Sequence, residues 1–83
     1  MKYNVYIIQS RNTGRYYVGY CQDLQERVEK HNMGSTPSTK PYIPWDIVYH
    51  EEHNTKREAI IREQEIKKKK SRKYIENLIN KRS

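Results

Sequence analysis

Apolar residues alternate from the start of the chain. Between Tyr3 and Gln9, the side chains of Tyr3, Val5 and Ile7 fall on one side of an extended backbone, and those of Tyr6 and Ile8 on the other. Both sides are apolar, which predicts a strand covered on both faces. Ser10-Arg11-Asn12-Thr13-Gly14 is rich in turn formers, and Arg15 to Tyr20 is a second β-rich run, so the pair predicts a hairpin. Within the second run Tyr16 and Tyr20 share a face, while Tyr17 takes the other. The period then changes. Asp23 followed by Glu26 resembles a capping box and opens a helix at Gln22 or Asp23, and Asn32 with Gly34 closes it. On that helix Leu24, Val28 and His31 fall on one face, with Arg27 at its edge.

From Asn32 to Pro44 the chain carries three prolines and several Ser and Thr residues, which predicts a loop. A loop of this length in so small a protein points either to a functional role or to a mobile tip. Trp45 to Glu52 predicts a third strand, with Trp45, Ile47 and Tyr49 facing one way and Val48 the other. Thr55 and Glu58 form a second capping-box pattern at the head of a long helix from Lys56 to about Lys70. Ser71 is the expected cap of a last short helix that carries Ile75, Leu78 and Ile79. The pattern as a whole predicts an α+β protein of one domain over residues 1–83.

Composition adds three constraints. The formal net charge is +7 on 83 residues, which favours a polyanionic partner such as DNA, RNA or an anionic membrane surface over plain solubility. Phe is absent and Tyr occurs eight times, as expected for aromatics that sit at a core boundary or line a cleft. The single cysteine, Cys21, excludes an intramolecular disulfide and a Cys-based zinc site. With no apolar signal-peptide core and no apolar run near the ~20 residues of a membrane span, a soluble cytoplasmic protein is expected.

Glu63 is the most informative single residue. Ala59 and Ile66 define the core-facing stripe of the second helix, and Glu63 lies between them. A solvated glutamate belongs opposite such a stripe, because burying an ionised carboxylate costs several kcal/mol unless it is paired. Two readings stand level: a structural salt bridge, with Arg27 as a candidate partner, or a metal ligand. On spacing alone each tyrosine reads as a core filler before a catalyst, and His31 as a surface or packing residue. There is no phosphate-cradling glycine loop, no paired histidine on one helical turn and no hydrolase nucleophile elbow.

Four short motifs together are more specific. Asn4-Val5-Tyr6, Tyr17-Val18-Gly19, Leu24-Gln25-Glu26-Arg27-Val28 with His31, and Glu58-Ala59-Ile60-Ile61-Arg62-Glu63 occur in this order on the expected elements. In this the chain resembles the GIY-YIG nuclease domain family, and most of all its small stand-alone bacterial members, over about Tyr3 to Ile79. The resemblance implies a three-stranded antiparallel sheet flanked by helices and an endonuclease that hydrolyses phosphodiester bonds of DNA, with a role in repair or recombination. It implies one divalent ion, usually Mg²⁺, on Glu63. Tyr6 and Tyr17 match the two motif tyrosines, Arg27 the essential arginine, and His31 a position where the family uses His or Tyr. Two departures stand out: Asn4 replaces the first motif's glycine, and Tyr20 stands where some repair relatives carry a lysine. The expected chemistry has Tyr17 orienting or deprotonating water, with His31 or Tyr6 hydrogen-bonding nearby. Arg27 would grip the scissile phosphate. Lys67, Lys68, Lys70, Arg72 and Lys73 lie in a basic block suited to phosphate contacts, or to a solvated helix end. The rival expectation is a nucleic-acid-binding module of the same fold that cleaves little without a partner.

Overall fold

The computed structural model describes residues 1–81, so residues 82–83 of the expected domain lie outside the described residues. The expected hairpin forms from β1 (Tyr3–Ser10) and β2 (Tyr16–Cys21), which pair antiparallel with Tyr6 opposite Gly19 and Ile8 opposite Tyr17. Helix α1 (Leu24–Asn32) follows, then β3 (Trp45–His53), α2 (Lys56–Lys69) and α3 (Arg72–Lys81). β3 pairs antiparallel with the other edge of β1, giving the sheet order β2-β1-β3. An antiparallel sheet of three strands with helices is the architecture the sequence predicts.

The central strand explains the two-faced pattern at the start of the chain. On one face Val5, Ile7 and Val18 pack with Ala59 and Ile66 of α2, and Tyr16 and Tyr20 lie against this cluster. On the other face Tyr6, Ile8 and Cys21 pack with Val28 of α1 and with Trp45, and Tyr17 joins them. The sheet is thus held between α1 on one side and α2 on the other. Residues of β1 and β2 alternate between the two cores as their spacing predicts.

β3 departs from the simple alternation. Ile7 pairs with Tyr49 but the next residue, Ile8, pairs with Ile47, so Val48 is an extra residue in the ladder. One inserted residue reverses the facing of everything beyond it. Trp45 therefore packs beside α1, while Tyr49 and Val48 lie against the α2 core. The expectation that Trp45 and Tyr49 share a face is corrected by this bulge.

The helix ends follow the residues that mark them. Asp23 caps α1 by accepting the Glu26 amide at 3.0 Å, whereas the Glu26 carboxylate pairs forward with Lys30 at 3.2 Å. Gly34, at φ +80°, carries the chain out of α1 with its amide on the His31 carbonyl at 3.1 Å. At α2 both halves of the box are made: Thr55 Oγ1 accepts the Glu58 amide at 3.1 Å, and Glu58 Oε1 accepts the Thr55 amide at 3.3 Å. Ser71 Oγ accepts the Tyr74 amide at 3.1 Å and starts α3. A partly buried network then ties these layers together: Arg62 Nε donates to Glu51 Oε1 at 2.7 Å, and Tyr49 and His53 also bond Glu51.

The segment from 32 to 44 is folded onto the body. The Trp45 amide donates to Asn32 Oδ1 at 2.7 Å, and Asn32 Nδ2 donates back to the Trp45 carbonyl at 3.2 Å. Trp45 Nε1 donates to the Thr39 carbonyl at 3.0 Å, Asn12 Nδ2 donates to the Ile43 carbonyl at 2.7 Å, and Lys40–Tyr42 forms a 3₁₀ turn. Asn32, predicted as a helix stop, is also the clasp that fixes where this segment enters β3.

Because α2 carries Glu63 and begins at a complete capping box, Thr55→Ala is expected to cost about 1 kcal/mol. In a domain of this size that lowers Tm by roughly 4–8 °C, readable by circular dichroism. An unchanged melting curve would show that the box does not hold the helix start.

Candidate active site

A cleft of about 460 Å³ opens at the β2 edge of the sheet, lined among others by Tyr6, Tyr17, Gly19, Arg27, Lys56 and Glu63. Its walls come from both faces. Tyr3 and Tyr20 reach it from the side of α2, and Tyr6, Tyr17 and Cys21 from the side of α1. Four of the five residues expected to do chemistry, Tyr6, Tyr17, Arg27 and Glu63, therefore meet at one cavity although they come from β1, β2, α1 and α2.

Gly19 makes this arrangement possible. A Cβ built there would stand 2.6 Å from the Tyr6 hydroxyl, so the phenol crosses β2 only where the partner residue lacks a side chain. Tyr6 is 1% exposed and its hydroxyl lies 3.0 Å from His31 Nε2. Burial, with Tyr17 adding to it, pushes the Tyr6 phenol well above the usual tyrosine range, so it stays protonated.

His31 is not on the cleft wall. It is 1% exposed and lies behind Tyr6, with Nδ1 2.8 Å from Thr39 Oγ1. Its ring also meets Tyr17 edge-on, at 5.1 Å between centroids. Desolvation, reinforced by Arg27, lowers its pKa from 6.5, so the folded protein holds a neutral imidazole. It backs Tyr6 and Tyr17 and does not line the cleft.

Glu63 is 8% exposed and forms an ion pair at 3.6 Å with Lys67, one turn further along α2. The structural bridge considered from sequence thus has Lys67 as its partner, and Arg27 faces the same cleft without pairing to Glu63. A long contact to a half-exposed lysine is a weak one. It leaves the carboxylate available to a harder cation. Among the described residues no three His, Cys, Asp or Glu side chains group together as a ready metal cage. A single carboxylate still fits a Mg²⁺-like ion, which is held by one or two carboxylates and otherwise by water and substrate phosphate.

Arg27 and Lys56 are the cations that the cleft keeps free. Neither side chain takes part in an ion pair or hydrogen bond among the described residues. Lys56 escapes the sequence reading, which treats it only as the first residue of a helix. The one signal for it is its place in the first turn, where the helix dipole disfavours a cation. It brings positive charge into the cleft that Tyr20 also lines.

The basic block divides. Lys68, Lys70 and Lys73 are exposed at the end of α2 and the start of α3, and Lys67 is drawn toward Glu63. Arg72 is engaged with its own protein: it donates to the Gly14 carbonyl at 3.2 Å, pairs with Glu76 at 3.2 Å and stacks 4.7 Å from the Tyr16 ring centre.

Comparison with known proteins gives the family and the fold. The GIY-YIG catalytic domain model matches residues 2–77, and the chain belongs to that family, which is nuclease-type and generally uses divalent metal ions. A UPF0213 protein of Staphylococcus epidermidis is 46% identical over 67 residues, covering 80% of each chain. One of Staphylococcus aureus is 47% identical over 64 residues, covering 76% of this chain and 77% of the relative. The solution NMR structure of a UPF0213 protein from Bacillus halodurans superposes with a TM-score of 0.59 at 32% identity, over 96% of this chain and 84% of that one.

Two outcomes follow from the buried tyrosine and histidine. Gly19→Ala is expected to destabilise the fold by about 1–3 kcal/mol, because a pinned ring cannot move aside. Wild-type stability in a denaturation titration would show the cleft looser than described. For His31 the folded pKa lies below the unfolded 6.5, so the unfolded chain takes up the proton first. Its contribution is present above pH 6.5 and is lost as pH falls below it. An NMR titration placing His31 above 6.5 would contradict the burial described here.

Proposed function

We propose that this chain is a metal-dependent DNA endonuclease, acting as one cytoplasmic domain over residues 1–83 and hydrolysing phosphodiester bonds in repair or recombination. One observation carries the reading: a guanidinium, a carboxylate and two phenols from four separate elements line one cleft. The two phenols also pack in the core beside α1, but Arg27 and Glu63 are not explained by packing: Glu63 interrupts an apolar stripe to reach the cavity. No helix among the described residues is long and apolar enough to cross a membrane.

Phosphodiester hydrolysis requires an oriented water, neutralised phosphoryl charge and a stabilised leaving oxygen. Arg27 grips the scissile phosphate, since its planar donor fork matches two phosphoryl oxygens and keeps its charge at any working pH. Lys56 supplies a second positive charge to the same cleft. Tyr17 orients the attacking water by accepting a hydrogen bond from it, and Tyr6, held from behind by His31, receives a hydrogen bond on its oxygen. Glu63 would hold the divalent ion, Mg²⁺ above all, which when bound supplies Lewis-acid stabilisation of phosphoryl and leaving-group charge. Lys67, now beside Glu63, would be released by the ion and join Lys68, Lys70 and Lys73 in contacting flanking phosphates. Arg72 contributes to the same surface while anchoring the β1–β2 turn.

Supercoiled plasmid incubated with Mg²⁺ is expected to be nicked, and EDTA to stop it. Arg27→Ala and Glu63→Gln should each lower the rate by roughly 10²–10³. Equal nicking by wild type and Glu63→Gln would remove the metal-ligand role. Salt-sensitive DNA binding that survives both substitutions without any nicking would replace the nuclease reading with a binding module.

A further inference from the structure

The segment between α1 and β3 reaches the cleft through one side chain. Thr39 is 1% exposed, and its Oγ1 lies 2.8 Å from His31 Nδ1 and 3.3 Å from the Thr36 carbonyl oxygen. His31 Nε2 lies 3.0 Å from the Tyr6 hydroxyl. The four groups make an unbroken chain from a loop carbonyl to the wall of the cleft.

The direction of the protons along it follows from what each group can do. The Thr36 carbonyl also takes the Thr39 and Lys40 amides, at 3.1 and 3.0 Å. Since a carbonyl oxygen only accepts, the Thr39 hydroxyl back-bonds to it as a shared acceptor and offers a lone pair to His31. Nδ1 then carries the imidazole proton and Nε2 is bare. A buried phenol O–H also needs an acceptor, and Nε2 is the one placed for it. In the opposite order, Nε2–H would donate to Tyr6 and the phenol's own proton would point into the cleft. We infer that Thr39 is a positioning residue that holds His31 in the Nδ1–H tautomer, so that the Tyr6 hydroxyl donates inward and presents only lone pairs to the cleft. Tyr6 is thereby a fixed acceptor for the hydrogen of a water or hydroxyl bound there. The consequence for cleavage rests on the endonuclease reading; the tautomer itself does not.

The tautomer is read directly from ¹⁵N–¹H correlation spectra of the histidine rings in the full chain, and nicking with Mg²⁺ is measured alongside. Wild type is expected to carry its His31 proton on Nδ1. Thr39→Val keeps the shape but removes the acceptor. It is expected to shift the proton toward Nε2 and to lower kcat by about tenfold with KM little changed, the scale of one lost hydrogen bond. Thr39→Ser should restore both. A wild-type proton on Nε2, or a Thr39→Val protein with the wild-type tautomer, overturns the proposal. A rate loss that Thr39→Ser fails to rescue also overturns it. Should Thr39→Val not fold, the wild-type and Thr39→Ser spectra still decide. A wild type with the Nδ1–H tautomer but no nicking would count against the nuclease reading and leave the positioning role standing.

Discussion

The structure depends on one close approach, the Tyr6 ring lying across Gly19. A phenol from the central strand can reach the sheet's outer edge only by passing over its neighbour. Gly19 is where the neighbour has nothing in the way, with the hydroxyl closer than any side chain would allow. That crossing brings the Tyr6 oxygen from a core otherwise built of Ile8, Val28 and Trp45 to the wall of the cleft. Once there it must be hydrogen-bonded, and the buried face of α1 answers with an imidazole where a helix facing a core would ordinarily present an aliphatic. His31 in turn requires a partner for its other nitrogen. Thr39 meets that need, which draws the long connection between α1 and β3 down onto the body.

Electrostatics complete what the packing begins. The cleft holds Glu63 as its carboxylate and Arg27 and Lys56 as cations free of protein partners, so its interior is polar and weighted toward positive charge. On the endonuclease reading, this charge balance suits a phosphate better than a neutral ligand. The weak pairing of Glu63 with Lys67 offsets the carboxylate's burial without closing the site. The protein's excess of positive charge extends this preference outward along the exposed lysines after α2.

Much of this was legible in the residues themselves. Thr55 with Glu58 announced α2 because a capping box has few other uses, and alternation from Tyr3 to Ile8 announced a strand between two cores. Glu63 stood out because a carboxylate on an apolar stripe asks for an explanation. What could not be read depended on contacts between distant residues. Val48 bulges out of a ladder whose register is set by β1, so the facing of Trp45 against Tyr49 was not contained in the local pattern. Thr39 looked like one hydroxyl among several in a loop until folding set it beside His31. Lys56 becomes part of the cleft only because α2 starts beside the end of β2. Arg72 read as one more phosphate contact, and its tie to Gly14 across 58 positions was beyond any motif.

The central claim is that a hard cation and a phosphate meet at Glu63 and Arg27 over the edge of β2. Titrating Mn²⁺ into ¹⁵N-labelled protein tests it most directly, because the ion broadens amide signals steeply with proximity and needs no cleavage to be seen. Broadening should appear first around Glu63, Gly19 and Tyr20, and should vanish in Glu63→Gln. Broadening centred on the exposed carboxylates at Glu65 or Glu76, or unaffected by Glu63→Gln, would contradict the account.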